Sequence, residues 1–286
     1  MHLSRRRFAR LAGTAALAGP QLTGQQTPLT AQQAIERIQK NAGVPWRPDS
    51  LDTIKAGDPS TAITGIATTA MATLDVLTRA SKEKANLVVT LEPAFFGRLD
   101  APLADDPVYI AKQEFIRKNA LVVWRFSDHW RARKPDPLAT GLAQALAWSK
   151  YRLNGGPSYL LPATTLSALV DDLAKRLNAR AGIRVVGDPQ TQVRLVSLLP
   201  GVSALPATMN LLPDCDVVIA GETREWESVE YAQDTVASGQ KKGFIMLGRV
   251  LSEEPGMSLC ADWLKTLFPE VPVRWLPAGD PYWRPA

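Results

Sequence analysis

The chain has 286 residues, of which 45% are apolar, so it can bury a large core in one domain or in two smaller ones. Its formal net charge of +5 falls to +1 once the four arginines of residues 1–18 are set aside. A nearly neutral body lacks the basic face that nucleic acids require, so we predict no nucleic-acid partner.

The first eighteen residues show, in order, the features of a twin-arginine export signal. "SRRRFARL" places paired arginines before a phenylalanine, a short apolar stretch follows, and small residues at 16–18 suit a peptidase. No segment of the chain has the roughly 20 apolar residues that a membrane span needs. The sequence therefore predicts a signal peptide at residues 1–18, a polar linker at residues 19–29, and a mature protein that is periplasmic or secreted, without a membrane segment.

Helical and extended patterns alternate along the rest of the chain. Thr30 and Gln33 have the spacing of a capping box, which predicts the start of the first helix. Further helices are predicted at residues 71–81, 108–118, 138–148, 165–177, 228–237 and 257–267. Strands are predicted at residues 62–67, 87–90, 121–126, 183–186, 193–199, 215–220, 244–247 and 271–276.

This alternation is typical of an α/β fold with mixed, largely parallel sheets. The segment "NGGPSYLLP" separates two runs of it, which suggests two halves at residues 30–152 and 153–286. Cys215 opens a predicted strand and Cys260 lies on a predicted helix, so we expect two buried free thiols rather than a disulfide.

Carboxylates follow the ends of four predicted strands, where parallel sheets usually bind their ligands. They are Glu92 in "TLEP", Asp128 beside His129 in "RFSDHW", Glu222 in "GETREWE" and Glu253 in "LGRVLSEE". Like charges gathered at one site are costly unless a cation or basic side chains lie between them. The pattern therefore predicts a polar site at which these carboxylates meet a cation or a base.

Two segments carry a family resemblance. "GDPSTAITGIATTAMATLDVLTRASKEKANLVVTLEPAFF" resembles the first half of the Nif-three-like family, also known as GTP cyclohydrolase 1 type 2 homologues. "CDVVIAGETREWESVEYAQDTVASGQKKGFIMLGRVLSEEPGMSLCADWL" resembles its closing half. The resemblance covers about residues 63–283 and implies a Nif-three-like fold of two similar α/β halves. It also implies a ring-shaped homohexamer and a pair of divalent metals at a cleft.

The metal-site motifs of that family match this chain only in part. Where the family has Thr-His-His-Pro or Thr-His-Glu-Pro, the chain has "TLEP", so Leu91 replaces the first histidine and Glu92 remains. Where the family's last loop has Gly-His with a glutamate four residues after the histidine, Arg249 replaces the histidine and Glu253 remains. The family's second loop mixes histidine and aspartate ligands, and this chain keeps Asp128 and His129 there.

The histidine count limits what this site can bind. The chain has two histidines, and His2 lies in the predicted signal, so a site with several imidazole ligands cannot be built. Glu92, Asp128, His129 and Glu253 could still hold a harder ion such as magnesium, manganese or calcium. Alternatively, Arg249 takes the place of the metals, because a guanidinium is suited to bridging carboxylates. We favour this second interpretation and predict an ion pair between Glu92 and Arg249.

Two functions are compatible with these residues. One is a non-catalytic or altered binding protein, without a cofactor, whose small-molecule ligand the sequence does not identify. The other is a divalent-metal-dependent hydrolase in which a metal-activated water attacks a phosphorylated or nucleotide-like substrate. The histidine count favours the first. A serine hydrolase is excluded, because no Gly-x-Ser-x-Gly sequence occurs in the chain.

Overall fold

The computed structural model describes residues 28–179 and 182–283. The predicted signal peptide and nearly all of the predicted linker lie outside these residues, so both stay predictions. None of the helices formed by the described residues has the length and apolar character needed to cross a membrane.

Helices and strands alternate along the described residues, as the sequence predicts. The strands are β1 (Ile54–Ala56), β2 (Ile66–Thr69), β3 (Leu87–Thr90), β4 (Val122–Arg125), β5 (Ser158–Thr165), β6 (Arg184–Val186), β7 (Gln192–Val202), β8 (Val217–Glu222), β9 (Gly243–Met246) and β10 (Val273–Trp275). The helices are α1 (Ala31–Lys40), α2 (Leu74–Lys82), α3 (Pro107–Lys118), α4 (Asp128–Ala132), α5 (Pro137–Ala145), α6 (Leu166–Arg176), α7 (Leu205–Leu211), α8 (Glu230–Ala237) and α9 (Arg249–Leu267). A short π-helical turn, Glu225–Val229, leads into α8.

The strands form two five-stranded sheets, both with mixed strand directions. The first has the order β1-β4-β3-β2-β10, in which β1 is antiparallel to β4 and the other neighbours are parallel. The second has the order β5-β7-β8-β9-β6, with parallel strands in the centre and an antiparallel strand at each edge. The predicted α/β fold class is confirmed.

The division into consecutive halves at residues 152 and 153 stays a prediction, and the sheets do not follow it. The last strand, β10, returns to the first sheet and pairs in parallel with β2. The segment predicted as a separator instead contains the start of β5. Strand β1 and the first two turns of α9 were also not predicted, because Pro255 inside that helix and the Pro- and Gly-rich segment around β1 are both typical of loops.

Helix α9 lies between the two sheets and joins their cores. It contacts β2 and β10 of the first sheet and β7 and β8 of the second, and it packs closely along α5. The apolar side chains of Met257, Cys260 and Leu264 lie in the core of the first sheet. Both cysteines are buried and free, as predicted. Because α9 begins directly after β9, its first turns lie at the carboxyl ends of the strands, next to the site described below.

Candidate functional site

A cleft of about 1100 Å³ opens at the carboxyl ends of the first sheet. The segments that follow β2, β3 and β4 form most of its wall. Val202 at the end of β7 and Arg249 at the start of α9 close it from the second sheet. The cleft thus lies where the carboxyl ends of both sheets meet, which is the edge at which α/β proteins usually bind ligands.

Glu92 lies at the polar end of this cleft, just beyond β3. Its backbone N–H donates to the Ala70 carbonyl at 2.9 Å, and the Thr90 hydroxyl donates to the Glu92 carbonyl at 3.1 Å. The first bond extends the β3 ladder past the end of the strand, and both bonds hold the residue in a defined position. The side chain is 5% exposed, so its charge needs partners inside the protein.

Arg131, on α4, joins Glu92 to Glu253. Its Nη2 donates to Glu92 Oε1 at 2.6 Å and to Glu253 Oε1 at 2.7 Å. Burial alone would lower the pKa of Arg131, but the negative charges of Glu253 and Glu92 outweigh that effect and raise it. One guanidinium therefore holds together two buried carboxylates from different parts of the chain.

Arg249, the first residue of α9, completes the cluster. Its Nη2 donates to Glu92 Oε2 at 2.5 Å, so each oxygen of Glu92 is bound by a different arginine. Its Nη1 lies 3.8 Å from Glu222 Oε2, and its Nε lies 3.8 Å from Glu253 Oε1. The ion pair between Glu92 and Arg249 that the sequence predicts is present. We call Glu92, Arg131, Arg249 and Glu253 the ionic cluster.

Glu253 is the most deeply buried member of the ionic cluster. Burial and the neighbouring charge of Glu92 raise its pKa from 4.5 to about 7, against the opposing effect of Arg131. Its Oε2 has no hydrogen-bond partner, and neither does Nε of Arg249. Gly201, at φ +78°, makes room for it, because a Cβ there would lie 2.3 Å from Glu253 Oε1. The carboxyl is thus held tightly on one oxygen and left unbonded on the other.

Asp128 and His129 lie apart from the ionic cluster. Asp128 lines the cleft, but its Oδ2 accepts from the Leu51 N–H at 3.0 Å and lies 3.7 Å from Arg47 Nη2. His129 Nδ1 donates to Asp52 Oδ2 at 2.7 Å, while its Nε2 accepts from the Arg47 N–H at 2.9 Å. The ring is also stacked on Trp46, with 3.6 Å between centroids. Both ring nitrogens of His129 are therefore occupied within the protein.

Two residues of this region were not singled out by the sequence. Asp52 accepts hydrogen bonds from the N–H groups of residues 127, 128 and 129, at 2.6 to 2.9 Å, and so fixes the loop after β4. Arg131 lies one turn beyond that loop. Its sequence signal, an arginine three residues after Asp128 in "DHWR", does not distinguish it from a solvated helical residue.

These side chains do not suit a resident divalent metal. Among residues 28–179 and 182–283, no group of three or more His, Cys, Asp or Glu side chains could hold a metal ion. The predicted ligands Glu92 and Glu253 are already bound by guanidinium groups within 2.7 Å. A divalent cation placed between them would meet like-charge repulsion from both arginines.

Comparison with known proteins identifies the family. The model of the family described as Duf34/NIF3 (NGG1p interacting factor 3) matches residues 50–278. The chain belongs to the DUF34/NIF3 family. No curated protein matches it significantly.

Solved structures share the DUF34/NIF3 fold at low sequence identity. A Bacillus cereus protein related to NIF3 superposes with a TM-score of 0.71 at 13% identity, covering 91% of this chain and all of the other. Staphylococcus aureus protein SA1388 gives 0.69 at 14% identity, covering 90% of this chain and 100% of that one. Reduced HcgD from Methanocaldococcus jannaschii superposes with a TM-score of 0.60 at 16% identity, covering 86% of this chain and 97% of the other. At these identities the similarity shows the fold alone.

Proposed function

We propose that this protein is an exported, metal-free member of the DUF34/NIF3 family that binds a ligand in its cleft rather than hydrolysing one. In this proposal the family's dinuclear metal site has lost its histidines, and arginine side chains have replaced the metals. The observation that carries the proposal is the bridging position of Arg131, whose Nη2 lies within 2.7 Å of both Glu92 and Glu253.

Electrostatics supports this assignment. Buried carboxylates close to one another repel unless a positive charge lies between them, and a metal ion normally supplies that charge. Here Arg131 and Arg249 supply it, and a guanidinium can do so with directional hydrogen bonds to two carboxylates at once. The alternative, a metal-dependent hydrolase, would need these arginines to move away before a metal-bound water could form.

Metal content tests the proposal directly. We expect purified mature protein to contain well under one divalent ion per chain after incubation with zinc or manganese and desalting, as measured by plasma mass spectrometry. The positive control is the double variant Leu91→His/Arg249→His, which restores two imidazoles at the family's positions and should raise the metal content.

One result would overturn the proposal. If the wild-type protein retained a near-stoichiometric ion that Glu92→Gln or Glu253→Gln removed, the carboxylates would be metal ligands. The divalent-metal-dependent hydrolase would then be the better assignment, with Glu92, Asp128 and Glu253 as candidate ligands.

We further propose that the mature protein is periplasmic or secreted and assembles as a homohexamer. The first part rests on the order of arginines, phenylalanine and apolar residues in residues 1–18, and the second on membership of the family. Light scattering at micromolar concentration would test the assembly, and a monomeric mass would contradict it.

A further inference from the structure

We propose that the cleft binds a monomeric amphiphilic anion, with its apolar chain along the wall formed by α2, α3 and the loop after β3 and its carboxylate at Arg98. This inference rests on the proposed function, because it requires a cleft without a resident metal. It adds the chemical class of the ligand.

Part of the lining of the cleft is apolar. Leu74 on α2, Val108 on α3 and Phe96 on the loop between β3 and α3 line this part, and all three are exposed to solvent by 45% or more. Met71 and Ala111 continue the same surface. Large apolar side chains that line a concave space without covering one another are typical of a site for an apolar ligand.

The loop that carries Phe96 is anchored by a buried carboxylate, Asp100. Phe96 has φ +58°, a left-handed conformation that a bulky residue adopts only when its surroundings impose it. Those surroundings centre on Asp100, whose buried side chain accepts from the Phe95 N–H at 2.9 Å and pairs with Arg125 at 3.3 Å and Lys55 at 3.5 Å. The protein thus keeps an exposed aromatic ring in place over the cleft.

Positive charge at this wall exceeds negative charge. Arg47 is paired with Asp128, and Arg125 with Asp100, while Arg131 and Arg249 belong to the ionic cluster. Five cationic residues line the cleft, and two of them, Arg98 and Lys112, form no ion pair with a carboxylate of residues 28–179 and 182–283.

Lys112 and Arg98 have different environments. Lys112 is buried, donates to the Ala94 carbonyl, and lies over the rings of Phe95 and Phe96 at 5.3 and 5.5 Å. Burial lowers its pKa to about 8, although the charge of Asp100 opposes this effect. Arg98 is exposed, and only its backbone carbonyl is bound, by Arg125 Nη1 at 2.7 Å. The guanidinium of Arg98 is therefore the group available to an anion.

A second cavity, of about 630 Å³, adjoins the cleft, and Arg98 lies at the boundary between the two cavities. Leu51, Arg98, Asp128 and Arg131 line both cavities. An apolar chain in the cleft would therefore bring its head group to the boundary where Arg98 lies. A single carboxylate matches a single unpaired guanidinium, which can bind it through two parallel hydrogen bonds.

Calorimetry with decanoate, below its micelle concentration and at pH 7.5, tests the proposal. We expect one decanoate bound per chain, acetate bound at least tenfold more weakly, and no binding of decyltrimethylammonium, which has the opposite charge. Arg98→Gln should weaken decanoate binding about tenfold, because it removes a charge-assisted hydrogen bond. Val108→Ser should weaken it several-fold, because it removes apolar contact from the wall.

Two matched variants on α3 serve as controls. Arg117→Gln removes an exposed arginine, and Ile110→Ser an exposed apolar side chain, and neither residue lines the cleft. Both controls should bind decanoate like the wild type, and all four variants should keep the wild-type unfolding temperature.

The proposal is overturned if decanoate does not bind, or if it binds equally well to Arg98→Gln and Val108→Ser. Binding to anionic phosphatidylglycerol vesicles without binding to decanoate would also overturn it and would indicate a membrane surface instead. Metal content separates this result from a failure of the proposed function. If the protein is metal-free and does not bind decanoate, only the proposed ligand class is contradicted. If the protein retains stoichiometric metal, the proposed metal-free function is contradicted as well.

Discussion

Single residues decide the electrostatics of this cleft. The Glu92–Arg249 pair could be predicted from the sequence, because a glutamate and an arginine occupy positions that the family resemblance brings to one site. The part played by Arg131 could not, because a helical arginine is usually solvated, and only the folded chain places it between Glu92 and Glu253. Asp128 and His129 were candidates for the same site, but Asp52 and the loop of Arg47 bind them elsewhere.

Arg131→Ala should destabilise the protein substantially. The variant leaves Glu253, whose side chain is 0% exposed, without a hydrogen-bonded counter-charge. Removing one partner of a buried ion pair typically costs ~3–5 kcal/mol, and we expect about 3 kcal/mol here, because Arg131 is partly exposed. Chemical denaturation at pH 8 would measure the free energy of unfolding.

The matched control for Arg131→Ala is Arg47→Ala. It removes an arginine from the same region, but the pair with Asp128 is solvent-exposed and 3.7 Å long. We expect the free energy of unfolding to fall by less than about 1 kcal/mol, as for other exposed ion pairs. Equal losses in the two variants would argue against a special role of Arg131.

The stability of the protein should depend on the protonation of Glu253. The folded protein raises the pKa of this carboxyl from 4.5 to about 7, chiefly through burial. Between these two pH values the folded state binds more protons than the unfolded state. The free energy of unfolding should therefore fall as the pH rises from about 5 to 7 and level off above pH 7.

Glu253→Gln should reduce this pH dependence, because the amide mimics the protonated carboxyl and does not titrate. Unfolding temperatures measured from pH 5 to pH 8 should fall for the wild type and stay flatter for the variant. Few other groups interfere in this range, since the chain has only two histidines. The same slope in both proteins would show that Glu253 titrates at its ordinary pKa.

At the scale of elements, the packing of α9 against α5 holds the site in place. Arg249 and Glu253 both lie on the first two turns of α9, while α5 follows directly after the helix that carries Arg131. The two helices approach closely because glycines lie at their contact. A Cβ on Gly141 would lie 2.5 Å from the Pro255 carbonyl oxygen, and a Cβ on Gly256 would lie 2.8 Å from Leu138 Cα.

Gly141→Ala should therefore destabilise the protein, although helix propensity alone predicts the opposite. Alanine is favoured over glycine inside a helix by ~1 kcal/mol. The new methyl group, however, meets backbone atoms of α9 that cannot move aside, and overpacking of this kind costs ~1–3 kcal/mol. We expect a lower unfolding temperature.

Gln144→Ala, at an exposed position of the same helix, is the matched control for Gly141→Ala. It should leave the unfolding temperature unchanged or raise it slightly. An increase of similar size in both variants would mean that the helices have room to separate.

At the scale of the whole molecule, export can be tested independently of the fold. Arg5→Lys together with Arg6→Lys should leave the precursor in the cytoplasm, because the twin-arginine transporter reads the arginine pair as an address. Cell fractionation would measure the exported share, with Arg10→Lys as a control outside the pair. Export of the double variant at the wild-type level would contradict the predicted signal.

Local patterns in the sequence were sufficient for the class of the fold. Most helices and strands begin within a few residues of their predicted positions, because apolar periodicity and caps such as Thr30 act within a few residues along the chain. The family was expected from the resemblance of two segments, and its model matches residues 50–278. The histidine count alone excluded a site with several imidazole ligands.

Only the tertiary structure determined which residues and elements far apart in the chain are in contact. The return of β10 to the first sheet, the position of α9 between the sheets, and the bridging by Arg131 all depend on residues far apart in the chain. Burial is also a tertiary property, and it turns Glu253 from an ordinary glutamate near a helix start into a carboxyl with a pKa of about 7. The physical reason is that charge interactions and desolvation depend on distances in space, which local sequence patterns do not determine.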